Sequence, residues 1–277
     1  MHKSVMLNEV IKHLNIKSNG FYIDATFGAG GHSMEILKHL NFHGKITAFD
    51  KNIKLYKNIK EKKNINKFNA SFDSLPQLSK SINIQIYDGI IIDLGFSTNQ
   101  IKNPQLGFSF KKSNFLDMRF NESQKIRVID WINNANSFEM ADVFSFFGDK
   151  NFAYDLTASI LKFRQTKIIK TSNDITKILN KTQHNSSSQN KLFNLIRIFI
   201  NNEMLHLKIL INNIIYTLKK NAIIILISFN SLEDKISKNY LTNNNNINFC
   251  YKIKPLSTEI NNNINAKSAI MRIFKKI

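Results

Sequence analysis

Cysteine is almost absent. The single residue, Cys250, excludes internal disulfides and a cysteine zinc site, and no metal centre is expected. A reducing cytoplasm is the simplest home for such a chain. Long apolar runs are missing too. None reaches the roughly 18 residues that a membrane span needs. Met1-His2-Lys3-Ser4 lacks the apolar stretch of a signal peptide. The expectation is a cytoplasmic protein with no membrane partner. Acidic residues are scarce, 20 against 39 Lys and Arg, which leaves a formal charge of +19. That excess is the electrostatic footprint of a nucleic-acid partner. Lys, Asn and Ile are abundant and have A/T-rich codons, so an A/T-biased genome is a competing cause. Glycine is rare beyond residue 107: eight of the nine lie before residue 108. What is plentiful is apolar residue, 43% of 277, enough for one large domain or a domain with an insertion.

The glycines gather around Gly20 to Ser33, GFYIDATFGAGGHS. Phe21 to Ala25 is a short apolar run rich in β-formers and reads as a buried strand. Phe27 to His32 is a glycine-dense turn, and Ile36, Leu37 and Leu40 recur behind it at helical spacing. Strand, glycine turn and helix open a nucleotide-type binding sheet. Such glycines let the backbone pass close to a ligand, and the helix N-terminus presents free N–H groups. Lys45 to Phe49 is a second strand ending on Asp50, about 20 residues after the turn, where an acid holds ribose hydroxyls. Ser33 stands where a dinucleotide fingerprint wants its third glycine, and no phosphate-loop lysine follows. An adenosine ligand without a pyrophosphate fits better than NAD, and S-adenosylmethionine matches that description.

Along the chain, Ser4 to Leu14 reads as a helix, Lys51 to Lys63 as a basic helix and Lys67 to Ser71 as a third strand. Phe72 follows and is a candidate for stacking on an adenine, though a lone Phe is more often core. DGIIIDLG, Asp88 to Gly95, is the clearest central strand, an unbroken apolar run of the kind covered on both faces. Ligands bind outside the carboxyl ends of such strands, so Asp24, Asp50 and Asp93 are expected to converge on one edge. From Ser123 to about Thr182 four helices are expected, the last opened by a capping box at Thr171 and Asp174. They interrupt the strand–helix alternation and imply an inserted helical subdomain. His184 to Lys191 reads as a polar loop, Leu192 to Leu218 as one long helix and Ala222 to Ser228 as a buried strand. A capping box at Ser231 to Asp234 opens a helix, and Asn248 to Lys254 and Ser268 to Phe274 read as a closing β-hairpin.

Asp24-x-Thr26-Phe27-Gly28-x-Gly30-Gly31-His32-Ser33 closely resembles the signature of the bacterial ribosomal RNA small-subunit methyltransferase H family, also called MraW. Asp93 to Ser97 with Gln100 resembles its D-L-G-x-S-x-x-Q stretch, and Leu116 to Arg119 its L-D-M-R. Phe193 to Ile198, containing Arg197, resembles F-Q-x-x-R-I, and Ser228 to Asp234 resembles S-F-H-S-L-E-D. The resemblance spans essentially the whole chain. It implies an α/β fold: a class I (Rossmann-like) methyltransferase sheet with helices on both faces and an inserted all-helical subdomain. Residues 1–105 and 191–277 would form the methyltransferase domain, and 106–190 the substrate-recognition subdomain. S-adenosylmethionine contacts are implied at Gly30, Gly31, His32, Asp50, Phe72, Asp93 and Gln100. The implied reaction is N4-methylation of a decoding-centre cytidine in 16S ribosomal RNA of the small subunit.

The amine of cytosine is a poor nucleophile, so the enzyme's task is to align amine, methyl and sulfur and to hold the amine hydrogens so that nitrogen can pyramidalise. Asp93 is the best-placed acceptor for the amine hydrogens and the candidate catalytic residue, while the resemblance also assigns it to the cofactor. Phe108, Arg119, Arg197 and Asn230 are the candidate substrate-binding residues. Asn194 and Asn230 stand where the family usually has Gln and His. Asn cannot act as a base near neutral pH, which leaves open an RNA-binding assembly factor with weakened or lost catalysis. A small-molecule methyltransferase is a third reading, against which the basic charge argues.

Overall fold

The structure is a computed structural model. It describes residues 4–50, 63–70, 87–94, 107–108, 113–120, 124–146, 149–182 and 186–277, with the backbone alone at 186–188. The chain divides into two compact units, Met1–Gly95 with Met204–Ile277, and Phe96–Glu203.

The first unit is built on a sheet. Its strands are β1 (Phe21–Asp24), β2 (Lys45–Phe49), β3 (Ile65–Phe68), β4 (Tyr87–Asp93), β5 (Leu218–Ser228), β6 (Ile247–Ile253) and β7 (Ile270–Lys276). They lie in the order β3-β2-β1-β4-β5-β7-β6. The first five are mutually parallel, and β7 runs antiparallel to β5 and β6. The fold is mixed α/β, as expected. The order reverses between β1 and β4, which makes their carboxyl ends the crevice where such sheets bind ligands.

Two-sided burial explains the apolar strands. Ile90, Ile92, Ile224 and Leu226 point into one core, with Leu207, Leu210, Ile211 and Ile214 of the helix Glu203–Thr217. Ile91, Ile225 and Ile227 alternate into the other, with Val10 and Leu14 of α1 (Leu7–Leu14) and Ile36 and Leu37 of α2 (Gly31–His39). Side chains of period two therefore feed both faces, and a polar residue inside these strands would lose its water on either side. At the amino end of β4, Asp88 is fixed by Lys17 Nζ at 2.9 Å, Lys219 Nζ at 2.8 Å and the Phe21 N–H at 3.1 Å. Burial alone would raise its pKa. The two ammonium groups and the amide overcome this and hold it below the usual carboxylate range.

The second unit is helical: α3 (Val128–Asn134), α4 (Ser137–Ser145), α5 (Lys150–Thr166), α6 (Ser172–Asn180) and α7 (Ser186–Ile200). The α6 capping box is present, Asp174 Oδ2 accepting the Thr171 N–H at 3.0 Å. Trp131 sits between Phe144 and Phe199, with ring centroids 5.9 and 4.9 Å away.

Four sequence expectations are corrected. The polar stretch His184 to Lys191 is helical from Ser186, because Ser, Gln and Asn cost a helix only a few tenths of a kcal/mol each relative to Ala. The expected single helix Leu192 to Leu218 is two, α7 and α8 (Glu203–Thr217), broken where Asn202 turns left-handed at φ 50°. Buried Asn201 stabilises the break: its amide donates to Met118 O at 2.8 Å and its oxygen accepts the Phe120 N–H at 2.8 Å. Strand β3 begins at Ile65, earlier than expected, pairing with Ile46 of β2. The β6–β7 pair is antiparallel, but its connection carries α10 (Ser257–Asn262) and a 3₁₀ turn (Ile264–Ser268) instead of a tight hairpin. The expected helix at Lys51 to Lys63 lies almost wholly outside the described residues.

Candidate active site

The carboxyl ends of β1, β2 and β4 converge on the glycine turn. Ala25 N–H donates to Ile91 O at 3.0 Å and Phe27 N–H to Phe49 O at 2.8 Å, so the chain leaving β1 is sewn to both neighbours. Gly28 and Gly30 then take φ of 51° and 77°. A side chain would be strained at either, which is why the turn is glycine. Gly31 meets a different limit. A Cβ there would collide with the Ser4 hydroxyl, so the N-terminal segment packs directly on the turn.

The three strand-end acids take different roles. Asp50 Oδ2 accepts the Gly28 N–H at 2.7 Å and so braces the turn from β2. Asp24 is buried, accepting the Ser33 hydroxyl at 2.5 Å and the Thr26 N–H at 3.1 Å. Burial pushes its pKa up to about 6 against the pull of those donors, and nearby Asp50 adds to the rise. The backbone N–H of Asp93 donates to Thr26 Oγ1 at 2.8 Å. Its Oδ2 stands 4.0 Å from His32 Nδ1. Its Oδ1 is sealed from water and has no hydrogen-bond partner among the described residues, although 22% of the whole side chain is exposed. Burial raises Asp93 to about 6. His32 opposes that rise, and Asp24 and Glu233 add to it. His32 is itself buried, its Nε2 3.0 Å from the Val5 carbonyl.

This is a strained electrostatic corner. Asp88, on the same strand, has two lysines and an amide. Asp93 has an acceptor oxygen that the described residues leave unsatisfied. A buried acceptor without a donor is destabilising unless a ligand supplies one. Among the described residues no cluster of His, Cys, Asp and Glu could hold a metal. No helix of the described residues is long and apolar enough to cross a membrane.

A family model described as the MraW methylase family matches residues 1–277. The chain belongs to that family. Its members are methyltransferases that use S-adenosylmethionine. Three relatives named ribosomal RNA small subunit methyltransferase H are similar over nearly their whole length. That of Wigglesworthia glossinidia brevipalpis is 39% identical, with 100% of this chain and 91% of the relative covered. That of Ruthia magnifica subsp. Calyptogena magnifica is 35% identical, with 99% and 98% covered. That of Legionella pneumophila strain Corby is 33% identical, with 100% and 99% covered.

Of the residues singled out in the sequence, the structure brings Gly30, Gly31, His32, Asp50 and Asp93 to one edge of the first unit. Phe72 and Gln100 lie outside the described residues. Asn230, also in the first unit, is the N-cap of α9 (Ser231–Thr242), its oxygen accepting the Glu233 N–H at 2.9 Å. The expected cap, Ser231, is thus the first helical residue instead. In the second unit, Phe108 is buried and stacked on Phe120 at 5.6 Å. Arg119 forks onto Asp117 at 2.6 and 2.9 Å and reaches Gln124 O at 2.7 Å. Arg197 is buried and spans the α7–α8 break to Glu203 at 2.8 and 3.1 Å. Each of these side chains therefore holds the second unit's own framework. A groove of about 770 Å³ there is lined by Asn133 and Arg164, whose amide and guanidinium are engaged by backbone carbonyls.

Residue-by-residue reading missed Thr26, Ser33 and the Val5 carbonyl. Thr26 and Ser33 lie inside the motif that carried the resemblance, and their spacing from Asp24 is the signal that was available. Nothing in the sequence marks a backbone carbonyl.

Proposed function

We propose that the protein transfers a methyl group from S-adenosylmethionine to the N4 amine of a decoding-centre cytidine in 16S ribosomal RNA, in the cytoplasm. The observation that carries the reading is the sealed Oδ1 of Asp93, unpartnered among the described residues, at the switch point of the sheet. The relatives' name supplies the substrate class.

The site fits the cofactor. Gly30, Gly31 and His32 at the start of α2, with Asp50 and Asp93, would hold it, and Phe72 and Gln100 would join them. Bound there, S-adenosylmethionine supplies a methyl already activated by its sulfonium. The chain's own work is positioning and charge. The Asp93 carboxylate accepts one amine N–H, which turns the nitrogen lone pair out of conjugation and toward the methyl. It takes that proton as the nitrogen becomes cationic. Sealing the site from water strengthens this interaction. A stacked base must first be extruded from the RNA, and the second unit is the surface assigned to holding it.

Asn230 does not favour lost catalysis. Its oxygen is spent on the α9 cap, a role for which Asn is among the preferred residues. The test is direct. Incubate the protein with labelled S-adenosylmethionine and unmodified small subunits, and map modified nucleosides by mass spectrometry. Label on cytidine N4 is expected. Label on another base, or none with cofactor bound, rejects the reading.

A further inference from the structure

The connection between β6 and β7 is longer than a hairpin needs, and its helix α10 reaches a distant part of the chain. α10 buries none of its residues, so a polar tether matters more to its place. Glu259, half-buried on that helix, accepts the backbone N–H of Met6 on Oε1, across 253 positions of sequence. Among the described residues this is the one side-chain hydrogen bond that ties α10 to another element.

Met6 is where the N-terminal segment turns into α1. It is fully buried and left-handed, with φ 53° and ψ 36°, as the N-cap of that helix. Its carbonyl accepts the Val10 N–H at 2.9 Å, so its helix side is settled. Its own N–H has no place in the helical ladder and finds its acceptor on Glu259. A residue with a Cβ is strained in this conformation and stays there only where its surroundings over-determine it.

The two residues before Met6 lie on the cofactor site. A Cβ at Gly31 would stand 1.9 Å from Ser4 Oγ, so Ser4 rests against the Gly31 backbone. The Val5 carbonyl is 3.0 Å from His32 Nε2. Gly31 and His32 open α2 directly after the glycine turn. Since α1 is anchored in the core by Val10 and Leu14, the torsions of Met6 set the direction in which Ser4 and Val5 leave it.

We propose that Glu259 is a positioning residue for the cofactor: by holding the Met6 N–H it fixes the left-handed turn that lays Ser4 and Val5 on Gly31 and His32, and so keeps the start of α2 in its binding shape. The α10 connection is then a brace for the S-adenosylmethionine site, supplied from near the end of the chain. The role needs an acceptor oxygen at this place and no negative charge. It rests on the cofactor site of the function proposed above and not on its RNA substrate.

Cofactor binding by the full chain tests it without RNA. Glu259→Ala removes the acceptor, and Glu259→Gln keeps a carbonyl oxygen at the end of a side chain of the same length. By calorimetry, Glu259→Ala should bind S-adenosylmethionine at least about fivefold more weakly than the parent, and Glu259→Gln within about twofold of it. Parent affinity in Glu259→Ala overturns the proposal. So does an equally weakened Glu259→Gln, which would assign the effect to charge. The second measurement uses the native protein. Coupling between two sites is reciprocal, so bound cofactor must favour the Glu259–Met6 bond as much as that bond favours the cofactor. Hydrogen exchange at the Met6 amide should therefore slow by a similar factor at saturating cofactor. Exchange that cofactor leaves unchanged overturns the proposal, and this measurement decides alone if Glu259→Ala does not fold. If the native protein binds S-adenosylmethionine, passes these tests and methylates no cytidine, the RNA reading fails and the brace stands. If it binds no cofactor, both fail.

Discussion

At the scale of the residue, the site is defined by carboxylates that the fold does not favour as anions. Asp24 and Asp93 are both raised to about 6 from 3.8. Between those values the folded state binds protons that the unfolded state has released. Their contribution to stability therefore declines as pH rises from about 4 to about 6, and the penalty is complete at neutral pH. For Asp93 that penalty is on the order of 2–3 kcal/mol. Asp93→Asn should accordingly make the free protein more stable than the parent at pH 7 by about 2 kcal/mol in urea unfolding, with the gain gone below about pH 4. Equal or lower stability at pH 7 would show that the corner relaxes around the charge. The same variant should methylate far more slowly at saturating cofactor. Full rescue by cofactor would reduce Asp93 to a binding residue.

At the scale of the element, the most informative feature is the α7–α8 break. Asn201 is fully buried and joins Met118 O, Phe120 N and Arg197 O. Asn201→Ala removes the hydrogen bonds to the first two, and a loss of roughly 2–4 kcal/mol is expected. The single tryptophan, Trp131, is packed on Phe199 of α7 and reports the change by fluorescence-monitored unfolding. A loss below about 1 kcal/mol would mean that water replaces the amide. This break also shows where sequence reading stops. The sheet was legible because β1, β2 and β4 are apolar runs that end on or just before an acid, and β5 carries the apolar run Ala222 to Ile227, a local pattern. The helices between Ser123 and Thr182 were legible from 3.6-residue periodicity and the Thr171–Asp174 cap. The break was not, because Asn201 and Asn202 carry no glycine or proline, and their reason to leave the helix is Met118, far away in sequence. For the site, the three acids and the glycines could be read from strand ends. The contact of His32 with the Val5 carbonyl could not, since that carbonyl lies on another segment. Arg119 and Arg197 show what a motif does not reveal: each arginine also makes ion pairs within its own unit, to Asp117 and to Glu203.

At the scale of the whole molecule, charge is the dominant property. With 39 basic against 20 acidic residues the chain carries +19, and RNA binding should be strongly salt-dependent. In the second unit Lys162, Lys170 and Lys177 are exposed, and none of them forms an ion pair among the described residues. If they meet phosphate, replacing all three by Gln should flatten the log–log salt slope by about 0.7–0.9 for each phosphate no longer neutralised, measured by filter binding to small-subunit RNA. A parent slope would mean that the charge on this unit reflects genome composition. The division into two units has a different consequence, in the order of synthesis. The helical unit, Phe96–Glu203, is one unbroken run, so all of its own packing partners are available once Glu203 has left the ribosome. The sheet is not. β4 emerges before that run and its neighbour β5 only after it. Throughout that interval Ile90, Ile91 and Ile92 form the open edge of a half-made parallel sheet, which is a template for other chains. A ribosome that stalls inside the helical unit would leave that edge exposed, so premature stops there should yield aggregates where stops before β4 yield soluble fragments.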